Sequence, residues 1–149
     1  MVTRSSLTPN HLNSLLELWE HHYEAPWSAL SLQAALDNPS YHCLGVLEGS
    51  EVIGFVLALS VQDEAEIHAL VVHTKYRRQG LGGQLLTHVI ERLRNQGVRK
   101  IFLEVRLSNI PAQTLYMRYG FQKIGRRQNY YLTGGGNQED ALVLEKRLD

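Results

Sequence analysis

The sequence predicts an α/β fold on a mixed sheet, and three observations carry that expectation. Apolar segments with strand period alternate with segments of helical period in the order βααβββαβαββ. The 149 residues suit a single domain, 1–149, which at this size buries about two thirds of its unfolded surface. No repeat, no heptad pattern and no stretch rich in Pro, Gly or Ser divides the chain.

The elements follow in order. Thr8 followed by Pro9 starts the first helix, whose stripe is Leu12, Leu15, Leu16 and Trp19 and whose end falls near His22. "EAPWS" is a turn, Ser28 caps a second short helix carrying Leu32, Ala35 and Leu36, and "DNPS" ends it. "YHCLGVL" and "EVIGFVLAL" flank Glu48-Gly49-Ser50, which reads as a hairpin. "AEIHALVV" is the next strand, and "LGGQLLTHVIERLRNQG" is a helix with Leu81, Leu85, Leu86, Val89, Ile90 and Leu93 on one face and Gly97 at its end. "KIFLEVRL" is a strand, and "PAQTLYMRYG" a short helix with Pro111 in its first turn and Gly120 past its end. "FQKIGRR" and "ALVLEKR" close the chain as strands on either side of "TGGGNQ".

The segment "YRRQGLGGQLL", 76–86, sets glycines where a strand hands over to a helix. The first N–H groups of a helix have no internal partner and lie at the positive end of its dipole, so an oxyanion is favoured there. A Walker A loop requires Lys then Ser or Thr after its last glycine, and Gln84 and Leu85 exclude it. A dinucleotide fingerprint aligned on Gly80 and Gly82 requires Gly or Ala at the position of Leu85. The pattern left is Arg77-x-x-Gly80-x-Gly82, set against the plainer reading of a softened helix start with solvated arginines.

Composition bounds the function. One cysteine, Cys43, excludes an intrachain disulfide and a Cys-rich zinc site, and its simplest role is a small buried hydrophobe. The longest uncharged apolar run, "VIGFVLAL", is far shorter than a membrane span, and "MVTRSSLTPN" has no apolar signal region, so a cytoplasmic protein without membrane contact is expected. The net charge of zero argues against nucleic-acid binding but hides an asymmetry. Residues 1–74 hold one basic residue against nine acidic, and residues 75–149 fourteen basic against six acidic, about −8 and +8. Either the halves attract each other, or the basic half holds an anionic cofactor and the acidic half faces a cationic substrate.

In "KIFLEVRLSN" the strand period puts Ile101, Leu103, Val105 and Leu107 on one face and Phe102, Glu104 and Arg106 on the other. A carboxylate in so apolar a strand is either ion-paired, to Arg106 or an arginine of a neighbouring strand, or poised as a base. Acyl transfer from a thioester to an amine needs such a base, because an α-ammonium has a pKa of about 8 and a lysine about 10. It also needs a proton for the leaving thiolate, and a phenol, protonated at neutral pH, is a competent donor. Tyr116, on the helix after the Glu104 strand, is the candidate, with Tyr119 three residues on the simple core aromatic.

The segments "APWS", "VVHTKYRRQGLGGQLL", "EVRLSN" and "LYMRYGF", with "NYY" ahead of "EDA", resemble the RimI-type ribosomal-protein-alanine N-acetyltransferases of the GNAT superfamily, from residue 25 onward. The resemblance implies a mixed, mostly antiparallel, seven-stranded twisted sheet flanked by about four helices, and an enzyme using acetyl-CoA and no metal. It implies Glu104 as general base and Tyr116 as general acid in a direct transfer, with Cys43 uninvolved. Leu70, Val71 and Val72 then meet the acetyl and pantetheine arm through backbone groups. Arg77, Arg78, Gln79, Gly80, Leu81, Gly82 and Gly83 form the pyrophosphate loop, Asn109 bonds the cofactor near its reacting end, and Tyr130 and Tyr131 line the peptide slot. The implied partner is a protein N-terminus, the enzyme itself being a monomer or weak homo-oligomer. His68 is expected to be structural unless its strand borders the cleft, and the adjacent His21 and His22 point apart on their helix, which makes a joint metal site improbable.

Overall fold

A computed structural model describes residues 2–22, 27–132 and 138–149. Its elements are β1 (Val2–Ser6), α1 (Leu12–His22), α2 (Ala29–Asp37), β2 (Tyr41–Glu48), β3 (Glu51–Val61), β4 (Glu64–Val72), α3 (Leu81–Asn95), β5 (Lys100–Arg106), α4 (Ile110–Arg118), β6 (Gln122–Leu132) and β7 (Gln138–Arg147). The expected order of strands and helices is the observed one. Several boundaries differ, two of them for a clear reason. The start at Thr8-Pro9 opens as a 3-10 turn over Pro9–His11, because Thr8 and His11 close a reciprocal capping box there, and α1 begins only at Leu12. Strand β6 runs five residues past Arg127, since β7 begins early enough to pair with Tyr131 and Leu132. Most of the expected "EAPWS" turn and of "TGGGNQ" lies outside the described residues.

The seven strands form one sheet in the order β1-β2-β3-β4-β5-β7-β6, with β4 and β5 the parallel pair among antiparallel neighbours. Helix α3 covers one face, where Leu85, Leu86, Val89 and Leu93 are sealed against Leu44, Val46, Ile53, Ile101 and Leu103. Burial of each such side chain stabilises the fold by about 2 kcal/mol. Helices α1 and α2 cover the other face, with Leu15, Trp19 and Leu32 against Phe55, Leu57 and Val71.

An irregularity in β4 opens this sheet. Leu57 pairs with Ala69 while the next residue, Ala58, pairs with Ile67, so His68 is an extra residue in β4. Such a bulge bends a strand and shifts its alternation. Ile67 accordingly packs under α3, whereas Ala69 and Val71 pack under α1 and α2. Beside the bulge the parallel ladder stops: β4 and β5 pair only from Glu64–Lys100 to Ile67–Leu103. Beyond it, β4 continues to Val72 with β3 alone and β5 to Arg106 with β7 alone. The sheet therefore splits.

Candidate active site

The split is lined by the main chain. The N–H of His73 donates to Ile53 O of β3 at 2.8 Å, which sets the parity of the strand end. Because successive residues turn their peptide groups to opposite sides, Val71 faces β3 while Leu70 and Val72 turn theirs into the split. An extended amide-bearing ligand can add there as a strand would. Arg77 Nε donates to Val72 O at 3.2 Å, which folds the next loop against the end of β4.

That loop carries Arg78 at φ +64° and Gly80 at φ +79°, two left-handed residues whose backbone coils N–H groups inward. Gly80 is the N-cap of α3 and brings no capping side chain. The first helix-internal bond is Gln84 N–H to Gly80 O at 3.0 Å, so the N–H groups of Leu81, Gly82 and Gly83 have no acceptor within the helix and form a candidate anion site. Lys75, Arg77, Arg78 and Gln79 are exposed around them, while the Leu81 side chain is buried in the core. Glycine is needed at 80 for its φ. At 82 and 83 the reason is packing: a Cβ would stand 3.2 Å from Leu115 Cδ2 at Gly82 and 2.2 Å from the Tyr119 hydroxyl at Gly83. Helix α4 is thus docked on the bare start of α3.

Glu104 is the first residue of β5 beyond the last rung of the parallel ladder. Its neighbours Leu103 and Val105 face α3, so its carboxylate faces the α1 and α2 side. Arg127 Nη1 donates to Glu104 Oε1 at 2.7 Å, while Oε2 is buried and has no hydrogen-bond partner. Of the two sequence expectations for Glu104, the ion pair is formed, though not with Arg106, which reaches Glu139 at 3.3 Å instead. Arg127 lies two strands away, and the Glu104 hydrogen bond raises its own pKa. Tyr116 is buried on the opposite face, in the core with Leu103 and Val105, its ring centroid 5.7 Å from that of Phe121. Glu104 and Tyr116 therefore lie on opposite faces of the sheet. Asn109 is the N-cap of α4, its Oδ1 accepting from Ala112 N–H at 3.1 Å.

On the Glu104 side, His68 packs its ring 5.4 Å from Trp27 and 5.7 Å from Tyr41, with Nε2 3.7 Å from Glu66 Oε2. Burial, helped by Glu66, raises the pKa of Tyr41. A cavity of about 450 Å³ adjoins these rings, lined by Trp27, Ser31, Ala34, Ala35, Asn38 and Tyr41. Tyr130 lies over the Arg127 guanidinium, 3.9 Å from its ring centroid. The Tyr131 side chain is outside the described residues. Cys43 is buried, which pushes its thiol up to about 12 and keeps it protonated and unreactive. Among the described residues no group of three or more His, Cys, Asp or Glu side chains converges as a metal site would, and no helix is long and apolar enough to cross a membrane.

Sequence reasoning missed Arg127 and the docking contact of Tyr119. The only signal for Arg127 was a basic pair ahead of "NYY"; for Tyr119 it was a bulky residue opposite an avoidable glycine, which one sequence does not reveal.

Main-chain donors for a phosphate at one end of a split sheet, and an open strand edge leading from them into it, are the working parts of an acetyltransferase. Comparison with known proteins gives the family: the acetyltransferase (GNAT) family description matches residues 12–121, and the chain belongs to that family. It is 35% identical over 144 residues to the ribosomal protein bS18-alanine N-acetyltransferase of Escherichia coli, covering 97% of this chain and 96% of that one. A protein of Bacillus subtilis described as a putative enzyme of the same name is 36% identical over 140 residues, covering 89% and 91%. The crystal structure of the Escherichia coli ribosomal-protein-S18-alanine N-acetyltransferase superposes with a TM-score of 0.93 at 33% identity, covering 100% of this chain and 95% of the other. The chain is an acetyl-CoA-dependent N-acetyltransferase. The uncapped helix start and the open edge of β4 fit acetyl-CoA, which carries a pyrophosphate at one end of an extended diamide arm.

Proposed function

We propose that the chain acetylates the N-terminal α-amino group of a protein, with the N-terminal alanine of a small-subunit ribosomal protein as acceptor. The observation that supports it best is the pair of candidate catalytic groups on opposite faces of the sheet, one of them a carboxylate at the split with a buried, unpartnered oxygen. Relatives that match nearly the whole chain bear the name of that activity.

Acetyl-CoA supplies the acetyl thioester. The residues of the chain handle protons and position. Glu104 Oε2 receives the acceptor ammonium on the α1 and α2 side and takes its proton, so that the amine enters as a nucleophile. Tyr116 gives its hydroxyl proton to the departing sulfur from the α3 side. Amine and leaving group then keep to separate faces, which suits a direct transfer and leaves Cys43 no part. Leu70 and Val72 align the arm, the loop from Arg77 to Gly83 and Asn109 hold the rest of the cofactor, and Tyr130 with Tyr131 borders the acceptor.

Two peptides incubated with the protein and acetyl-CoA, then analysed by mass spectrometry, test the acceptor. One has a free N-terminal alanine and no lysine; the other is N-terminally blocked with an internal lysine. Acetyl on the first alone supports the proposal, acetyl on the second alone moves the enzyme to lysine or small-amine substrates, and none on either, with acetyl-CoA bound, makes it a silent binding module. Glu104→Gln and Tyr116→Phe are each expected to lower kcat about 100-fold or more while KM for acetyl-CoA stays nearly unchanged. Undiminished turnover in either variant removes that residue from its role.

A further inference from the structure

We propose that Arg127 is a positioning residue for the transfer, pinning one oxygen of Glu104 so that the other faces the acceptor amine, and that Tyr130 couples peptide seating to this arrangement. The inference rests on the reading of Glu104 as the base. The contact is one-sided: Arg127 Nη1 holds Oε1 at 2.7 Å, and Oε2 is left buried without a partner. A fork-to-fork pair would occupy both oxygens and leave no acceptor for an ammonium. A carboxylate without Arg127 would instead be free to rotate its oxygens in and out of line.

The backbone of β6 is built to make this contact. Arg127 pairs with Ala141 and Tyr131 with Glu139, so β6 spans four residues where β7 spans two. Asn129 takes up the excess at φ +54°, its N–H fixed at 2.9 Å on Asp140 Oδ1, while Asp140 Oδ2 accepts from Arg126 Nε. At this bulge the Tyr130 ring stacks on the guanidinium. A planar cation can lie flat under a ring and still present an edge N–H to a carboxylate, which an ammonium does not do. Tyr130 is about half exposed, at 45%, on the side from which an acceptor peptide approaches, so seating the peptide on it bears on Arg127 and through it on Glu104.

Among the described residues, the other charged groups that strand parity puts on that face include Glu64, Glu66 and His68 of β4, Lys100 and Arg106 of β5, Glu139 of β7 as partner of Arg106, and Glu145 with its partner Arg147. None of these pairs includes Glu104, so a change at Arg127 reads on it directly.

The test is a double-mutant cycle of Arg127→Gln and Glu104→Gln, with Arg127→Lys and Tyr130→Leu alongside, read as kcat and as KM for peptide and for acetyl-CoA. Arg127→Gln is expected to lower kcat/KM for the peptide about tenfold or more and to leave KM for acetyl-CoA unchanged. Arg127→Lys recovers only part, and Tyr130→Leu lowers kcat/KM more where Arg127 is present than where it is Gln. In the Glu104→Gln background Arg127→Gln adds nothing. Equal loss in both backgrounds overturns the proposal while the base reading stands. Full turnover in Glu104→Gln overturns the base reading and this proposal with it. The side chain of Arg127 is 53% exposed, so its variants are expected to fold, and an unchanged urea midpoint verifies it.

Discussion

At Gly83 a methyl group would stand 2.2 Å from the Tyr119 hydroxyl and 3.0 Å from its Cζ. Gly83→Ala should therefore force α4 off the start of α3 and cost about 1–3 kcal/mol by overpacking. Tyr119→Phe in the same chain, by removing the closest atom, should return part of that loss, and urea unfolding of the two variants checks both statements. Equal midpoints for wild type and Gly83→Ala would mean that Tyr119 swings away freely. This glycine also marks a limit of sequence reading. The pattern Arg77-x-x-Gly80-x-Gly82 announced an anion site, and the uncapped helix start agrees with it. Yet it assigned all the glycines one purpose, whereas Gly80 answers to its φ, and Gly82 and Gly83 to side chains of α4 and the residue after it. Glu104 shows the same boundary. Strand period alone put it on the face opposite Leu103 and Val105, but its partner was out of reach, because β7 lies between β5 and β6 and only a bulge brings Arg127 across.

The β6–β7 hairpin is the element in which acid should first be felt. The N–H of Asn129 and then Arg126 hold Asp140 below the usual carboxylate range, and Ser108 and then Arg106 do the same for Glu139. A carboxylate with a lowered folded pKa contributes stability that is present above its unfolded pKa of about 4 and lost as pH falls through the folded value. Asp140→Asn should thus be less stable than the parent at pH 7, with the gap closing as both are taken well below pH 4. Urea midpoints across that range decide it, and a gap that persists in strong acid would mean that Asp140 acts by shape rather than charge. The hairpin is also where the expected elements were shortest. "FQKIGRR" ends at Arg127, the last residue paired before the second register shift of β6, since Gln128 and Asn129 break the pattern, and pairing with β7 resumes only at Tyr131. Regular elements such as α3 and β5 were legible because their periodicity is uninterrupted; a bulge has no period to read.

Across the whole molecule, the change of charge sign at residues 74 and 75 falls just after β4, so the split between β4 and β5 is also the border between an acidic and a basic half. Attraction between the halves is one way to use that asymmetry, but Arg106–Glu139, Arg126–Asp140, Arg127–Glu104 and Arg147–Glu145 all close within the basic half. The fields are better spent on ligands. Lys75, Arg77 and Arg78 stand exposed beside the start of α3, where the pyrophosphate is proposed to lie, and exposed charges are screened over about 10 Å at 0.1 M salt. KM for acetyl-CoA should accordingly rise as KCl is raised from about 0.05 to 0.5 M, while kcat, set inside the split, changes little. Arg78→Gln should flatten that rise without abolishing binding, because the helix-start N–H groups remain. A cationic acceptor peptide should show the same salt dependence and a neutral one should not, which separates the acidic half's contribution from that of the cofactor. If KM for acetyl-CoA were flat in salt for the parent chain, the phosphates would be held by main-chain donors alone and the basic half would need another partner.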